Sequence, residues 1–321
     1  MMKRKLPIFA ALCALFILIT ASSRVIACAS DGLRLCGELI VPTLFPFFVV
    51  SLLLGKLDFP ETLGRRLSPL TERLFHVSGR GATALLIGLT GGYPMGVAYL
   101  AQLLERDELS GGEAQRLLGF CNNSGPAFLV GAIGAGVFGS VKAGLLLYGA
   151  HVLAALSAGI LLRGGKTQEN TRALPPAAPP APFSRALSEA VRDAVPALLS
   201  VCGFVILFTV FTGLLEANGF LELLSKILSG LFPLGLQPIR ALLLGFWELG
   251  SGVGALRGLP LSPGNLALAA GLVGWGGISV LFQSLALLAD LPVKTGQLVL
   301  GRVLSAGLGA AFAWGLGSLF L

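Results

Sequence analysis

Charge is what this sequence has least of. Lys, Arg, Asp and Glu make up 12% of its 321 residues, whereas 55% are hydrophobic and the mean hydropathy is +0.84. So few charges cannot clothe the surface of a soluble domain of this length. The short alternating segments of a transmembrane β-barrel are missing too, and apolar residues instead come in continuous runs of about 20, the length a spanning helix needs. The chain has no nucleotide-binding loop, metal-ligand cluster or nucleophile elbow, which argues against an ATP-driven pump and an intramembrane hydrolase. No enzymatic activity, cofactor or metal is therefore expected. Five scattered cysteines, Cys13, Cys28, Cys36, Cys121 and Cys202, include no C-x-x-C pair and read as small apolar helix residues rather than a disulfide frame. What remains is an all-α integral membrane protein.

Glycine is abundant, at 44 residues, roughly twice the usual ~7%, which in a helical membrane protein signals close helix packing and helix breaks. The net charge of +7 gathers at the ends of apolar runs. That placement fits the positive-inside rule and the bilayer as partner, and it argues against nucleic acid.

Along the chain, a basic start and an apolar run over residues 1–30 predict an N-terminal anchor helix with a cytoplasmic N-terminus, set by Lys3, Arg4 and Lys5. "VIAC" ending at Cys28 resembles a lipoprotein cleavage box, but Ser22, Ser23 and Arg24 interrupt the run before it, so a retained anchor is the expectation. Next come a first unit at 31–163, a polar and proline-rich cytoplasmic linker at 164–186 and a second unit at 187–321.

The two units repeat. "VKAGLLLYGAHVLAALSAG" (141–159) aligns with "VKTGQLVLGRVLSAGLGAA" (293–311), and "VPTLFPFFVVSLLL" (41–54) with "VPALLSVCGFVILF" (195–208). The amphipathic spacing of Leu63, Leu67, Leu70 and Leu74 returns in Leu221, Leu224, Leu228 and Leu231. Each unit thus holds a span, an interfacial amphipathic helix, an interrupted segment and two further spans.

In the first interrupted segment, Ala82 to Thr90 and Met95 to Leu104 flank "GGYP"; at ~1.5 Å per residue each arm reaches about half of the ~30 Å hydrocarbon core. Two half-length arms predict a re-entrant hairpin, with a bent crossing helix as the alternative. A hairpin leaves three crossings per unit, so the second repeat is inverted relative to the first. Lys56, Arg65, Arg66, Arg73 and Arg80 then fall inside, while the equivalent loop of the second unit carries only Lys226 and falls outside.

Irregular backbone survives in lipid only beside protein or water, so the breaks mark a cavity. Candidate substrate-binding residues are Gly91, Gly92, Tyr93 and Pro94 at the first hairpin tip, and Asn122, Asn123, Ser124 and Gly125 in "GFCNNSGPAF". There a half-helix starting after Gly125 aims free N–H groups at an anion or polar ligand; interhelical hydrogen bonding is the alternative reading. In the second unit Glu248, near the tip of "GFWELGSGVG", is the candidate coupling residue or a partner for Arg240 or Arg257. Trp275, Ser279 and Gln283 belong to its second break, with Trp275 either stacking on a planar ligand or packing in the core. His151 reads as a hydrogen-bonded packing residue, and Lys142 and Lys294 as snorkelling span ends.

"LTGGYPMGV" and "FCNNSGPAFLVGAIG", with the pattern of the second half, resemble the YlbJ-type sporulation integral membrane proteins. The resemblance covers the chain from about residue 8 onward. It implies two copies of the nucleoside-recognition Gate domain, also found in concentrative nucleoside transporters and the ferrous-iron transporter FeoB. It further implies carriage of a small anion, dipicolinic acid, from the mother cell across the outer forespore membrane of a sporulating bacterium, with 91–94 and 122–124 as binding elements. A small planar dianion suits helix N-termini, amide donors and an aromatic wall. A nucleoside or metabolite symporter driven by H⁺ or Na⁺, and a non-transporting spore-envelope assembly factor, are the alternatives. Self-association stays open.

Overall fold

The structure, a computed structural model, describes residues 2–164 and 182–321, and contains helices and no strand among them. The proline-rich linker expected at 164–186 lies, from residue 165 to residue 181, outside the described residues.

Two helices open the chain, α1 (Met2–Thr20) and α2 (Ser22–Leu35); a π-helical turn at Cys36–Ile40 carries α2 without a break into α3 (Val41–Lys56). The polar cluster at 22–24, expected to interrupt the first apolar run, stands at the junction where α1 ends and α2 begins, and the helix it opens runs on to residue 56. Isolated Ser and Arg are compatible with helical backbone, and tertiary packing holds this stretch: Cys28 and Gly32 are buried against a later helix.

Next come the amphipathic α4 (Phe59–Phe75), then α5 (Gly79–Gly91), α6 (Met95–Glu105) and α7 (Gly111–Leu117). After an irregular stretch a π-helical half-helix, Ala127–Val137, leads to α8 (Val141–Leu161). The second unit contains α9 (Phe183–Ala217), amphipathic α10 (Phe220–Leu231), α11 (Leu236–Trp247), α12 (Leu249–Gly254), α13 (Pro263–Trp275), α14 (Gly277–Leu287) and α15 (Gly296–Phe320). Among the described residues five helical stretches are long and apolar enough to cross a membrane: 22–56, 141–161, 183–217, 263–287 and 296–320.

The opening helices of the two units pack antiparallel. Cys28 meets Gly213, Gly32 meets Ile206 and Thr209, the Cys36 thiol lies 3.8 Å from the Cys202 carbonyl, and Lys56 pairs with Asp193 at 2.7 Å. As residue numbers rise on one helix they fall on the other.

The interrupted segments fold back on themselves. α5, 13 residues, rises only ~20 Å. Gly88 and Gly96 stand Cα against Cβ position on either side of the 91–94 turn, and the Cys121 carbonyl sits where either side chain would project. Gly245 and Gly252 make the same crossing between α11 and α12. Any larger residue would force the arms apart, because a Cβ there lands within 2–3.4 Å of backbone.

Candidate functional site

The two fold-back tips and the two helix breaks converge. Residues 91–93 of the first tip, Ser124, Gly125, Ala127 and Phe128 of the first break, Glu248–Gly250 of the second tip, and Ser279, Val280 and Gln283 beyond the second break wall one cavity, completed by Leu44 and Phe48 of α3 and Val201 and Val205 of α9. Its volume is about 60 Å³, room for about four waters, so its walls stand close together.

Local chemistry explains the breaks. Pro126, with no N–H to satisfy, caps the start of the half-helix Ala127–Val137, and Gly92 and Gly125 touch backbone to backbone, a Cβ on Gly92 falling 2.9 Å from the Gly125 nitrogen. Gly276, at φ +77°, turns the chain between α13 and α14. Two half-helices, Ala127–Val137 and α14, therefore begin at the cavity wall, and the first-turn N–H groups of a helix have no acceptor within it.

The freed backbone groups find different partners in the two units. In the first, the Ser124 N–H donates to His151 Nε2 at 3.0 Å, and Asn123 Nδ2 donates to the Phe120 carbonyl at 2.7 Å. His151 is thus a packing residue with a defined acceptor role. In the second, Arg302 Nη1 donates to the carbonyls of Trp275 (3.0 Å) and Gly277 (3.3 Å), its Nη2 reaches Ser284 Oγ at 3.3 Å, and the guanidinium lies 5.4 Å from the centre of the Tyr93 ring. The Tyr93 hydroxyl donates to the Val273 carbonyl at 2.9 Å, and Asn122 Nδ2 donates to Ser284 Oγ at 2.9 Å. Tyr93 and Asn122 accordingly tie the first unit to the break of the second.

Three buried atoms here have no hydrogen-bond partner among the described residues: Ser279 Oγ, Asn122 Oδ1 and Arg302 Nε. Buried polar groups are seldom left so, and such atoms mark where a ligand or water is wanted.

Of the residues singled out from sequence, Gly91, Gly92, Tyr93, Ser124, Gly125, Glu248, Ser279 and Gln283 line the cavity. Pro94, Asn122 and Asn123 do not; both asparagines are buried just behind its wall. Trp275 does not line it either: its ring stacks on Phe246, centroids 5.5 Å apart and planes 4° from parallel, and its Nε1 donates to the Phe246 carbonyl at 3.0 Å. Neither arginine proposed for Glu248 is its partner. Arg240 pairs with Glu216 at 2.6 Å, Arg257 is exposed, and the Glu248 carboxylate instead caps α12, accepting from the N–H groups of Gly250 (2.8 Å) and Ser251 (2.5 Å). A carboxylate at a helix N-terminus is stabilised by those donors and by the helix dipole, so no arginine is required.

Arg302 and Ser284 were not anticipated. The signal for Arg302 was present: an arginine six residues into an apolar helix, in "GQLVLGRVLSAG".

Two further cavities flank the core. One, about 440 Å³, is walled by Ser51, Gly55 and Lys56 of α3, Glu61 of α4, Thr90, Met95, Tyr99, Gln102 and Arg106 of the first fold-back, and Asp193 of α9. Tyr99 donates to Glu61 at 3.0 Å, and burial pushes the Glu61 carboxyl above its ordinary pKa. The other, about 320 Å³, lies at the corresponding joint of the second unit and is walled by Glu216, Leu221, Glu222, Ser225, Leu236 and Arg240.

No family model matches the chain, and no solved structure matches it. It is 31% identical over 307 residues to the sporulation integral membrane protein YlbJ of Bacillus subtilis (strain 168), a match that covers 88% of this chain and 75% of that relative. A chain whose described residues form helices and no strand, with five apolar spans and this identity along most of its length, belongs to the YlbJ family of sporulation integral membrane proteins.

Proposed function

We propose that the protein is a membrane carrier for a small anionic metabolite, dipicolinic acid, moved from the mother cell across the outer forespore membrane, with two inverted Gate-like repeats and two re-entrant hairpins as its transport core. The observation that carries this reading is the convergence of two half-helix N-termini, one from each unit, on a cavity whose wall holds the unpartnered Ser279 hydroxyl. Free N–H groups at helix N-termini favour negative charge, and broken helices meeting near mid-membrane are how secondary carriers build such sites. The antiparallel packing of α2–α3 against α9 supports the inverted arrangement, since these are equivalent segments of the two units.

Glu248 stands in the same wall with its charge offset by two N–H groups, so it presents little bare negative charge to an arriving dianion. We assign it the coupling role. At about 60 Å³ the cavity holds no aromatic ring, so loading requires a tip to move, as gated carriers do.

Purified protein in vesicles tests the reading. Dipicolinate uptake is expected above that of empty vesicles, reduced at least fivefold by Ser279→Ala, and made insensitive to an imposed proton gradient by Glu248→Gln. Uptake equal to that of empty vesicles would overturn it, and strong inhibition by uridine or adenosine would point to a nucleoside carrier instead.

A further inference from the structure

The central cavity and the 440 Å³ cavity share a wall and a groove. On α3, Leu44 and Phe48 face the first and Ser51 and Gly55 the second. Their spacing of i, i+4, i+7 and i+11 places all four on one stripe, and Phe48 is only ~4.5 Å along the axis from Ser51. α9 repeats the order in reverse, with Val201 and Val205 on the central cavity and Asp193 on the outer one. The two cavities therefore lie end to end in the α3/α9 groove.

The tip of the first fold-back contributes to both: Ser51 of the outer cavity lies 3.7 Å from where a side chain on Gly91 of the central one would project. Gly91 and Gly92 are buried and face the central cavity, while Thr90, one residue away, is exposed and lines the outer one together with Met95. The outer cavity opens among charged and polar side chains, with exposed Gln102 and Arg106 at its rim. At the equivalent joint of the second unit the arrangement differs. That cavity contains no residue of the second tip, Trp247–Leu249, and its wall is drawn together by the Arg240–Glu216 ion pair.

We propose that the cavity bounded by Ser51, Gly55, Lys56, Thr90, Met95 and Gln102 is the access vestibule of the carrier, and that the 91–95 tip is the movable partition through which substrate passes to the central cavity. The inference rests on the transport reading for its cargo, but the route itself is a property of the walls. Access in this conformation is from the Lys56 end of α3, because the cavity at the Glu216–Arg240 end reaches no residue of the second tip.

Gly55 offers a clean obstruction, because a Cβ there meets nothing within 4 Å. Gly37, on the same continuous helix and equally open, lines neither cavity and serves as the control. The experiment uses the full chain in vesicles of both orientations, with Ser279→Cys as reporter. The probe is the impermeant anion 2-sulfonatoethyl methanethiosulfonate, and modification of residue 279 is read by mass spectrometry, so the native cysteines remain.

Modification is expected at least tenfold faster from the Lys56 face, slowed at least tenfold by Gly55→Trp and unchanged by Gly37→Trp. Ser51→Trp gives the same block should Gly55→Trp fail to fold. A rate within twofold of the parent in the folded blocking variant, modification from the opposite face, or none from either face would overturn the route. Labelling needs no substrate, so a protein that shows the block yet takes up no dipicolinate loses the transport reading and keeps the vestibule.

Discussion

The helix break before residue 127 and the one at Gly276 meet the same problem with opposite chemistry. Each interrupts a helix amid apolar neighbours and releases backbone groups that lipid cannot satisfy. In the first, an N–H is released and accepted by His151; in the second, the Trp275 carbonyl is released at the end of α13 and Arg302 donates to it, reaching the Gly277 carbonyl as well. Each supporting side chain comes from the final helix of its own unit, α8 or α15. The first break is rich in side-chain amides and rigidly cross-tied, whereas the second is made of glycines and held by one cation. At the cavity itself the first unit contributes Gly91, Gly92 and Gly125 with Tyr93 and Ser124, and the second contributes Glu248, Ser279 and Gln283, so the asparagines of the first break support the wall without facing the cavity.

The largest effect is expected at Arg302. Arg302→Met leaves the Trp275 carbonyl without its donor, at about 1–3 kcal/mol, removes a second donor from the Gly277 carbonyl and strips the cation from Tyr93. A loss of ~3 kcal/mol corresponds to a fall of roughly 6–10 °C in the apparent Tm in detergent. Arg302→Lys should recover only part, since one ammonium cannot match a planar fork reaching three acceptors. A Tm within 2 °C of the parent for Arg302→Met would break the comparison.

His151→Ala orphans one N–H and is expected to cost about 1–2 kcal/mol, roughly half the Arg302 effect, with His151→Gln restoring most of it by keeping an acceptor. Equal losses at the two positions would show that charge contributes nothing to the second break. Smallest in stability is Ser279→Ala, which removes a hydroxyl with no protein partner and should shift stability by less than ~0.5 kcal/mol while cutting uptake. A Tm drop comparable to that of His151→Ala would make Ser279 a structural residue and remove it from the binding site.

Much of this was legible in the chain. Apolar runs set the spans, leucine spacing the amphipathic α4 and α10, and Gly-Gly-Tyr-Pro and Asn-Asn-Ser-Gly-Pro the positions of the first tip and break, because these residues fail as continuous helix whatever surrounds them. The polar cluster at 22–24 marked the junction of α1 and α2, whereas the length of the helix that follows, 22–56, came from its packing against α9. Glu248 was legible with two roles open, a coupling residue or a partner of Arg240 or Arg257, and only the fold shows that two backbone N–H groups take the place of the arginine.

Composition, span lengths, the doubled order of segments and the places where helices must stop are local properties of covalent chemistry and hydropathy, and the amino-acid order determined them. Which breaks face one another and which asparagine reaches across to the other unit depended on contacts 162 and 180 positions apart, and the donation from Arg302 to the Trp275 and Gly277 carbonyls on contacts 27 and 25 positions apart. Those distances are set by packing, where a glycine's missing side chain lets backbone meet backbone, and no local pattern records the partner it will meet.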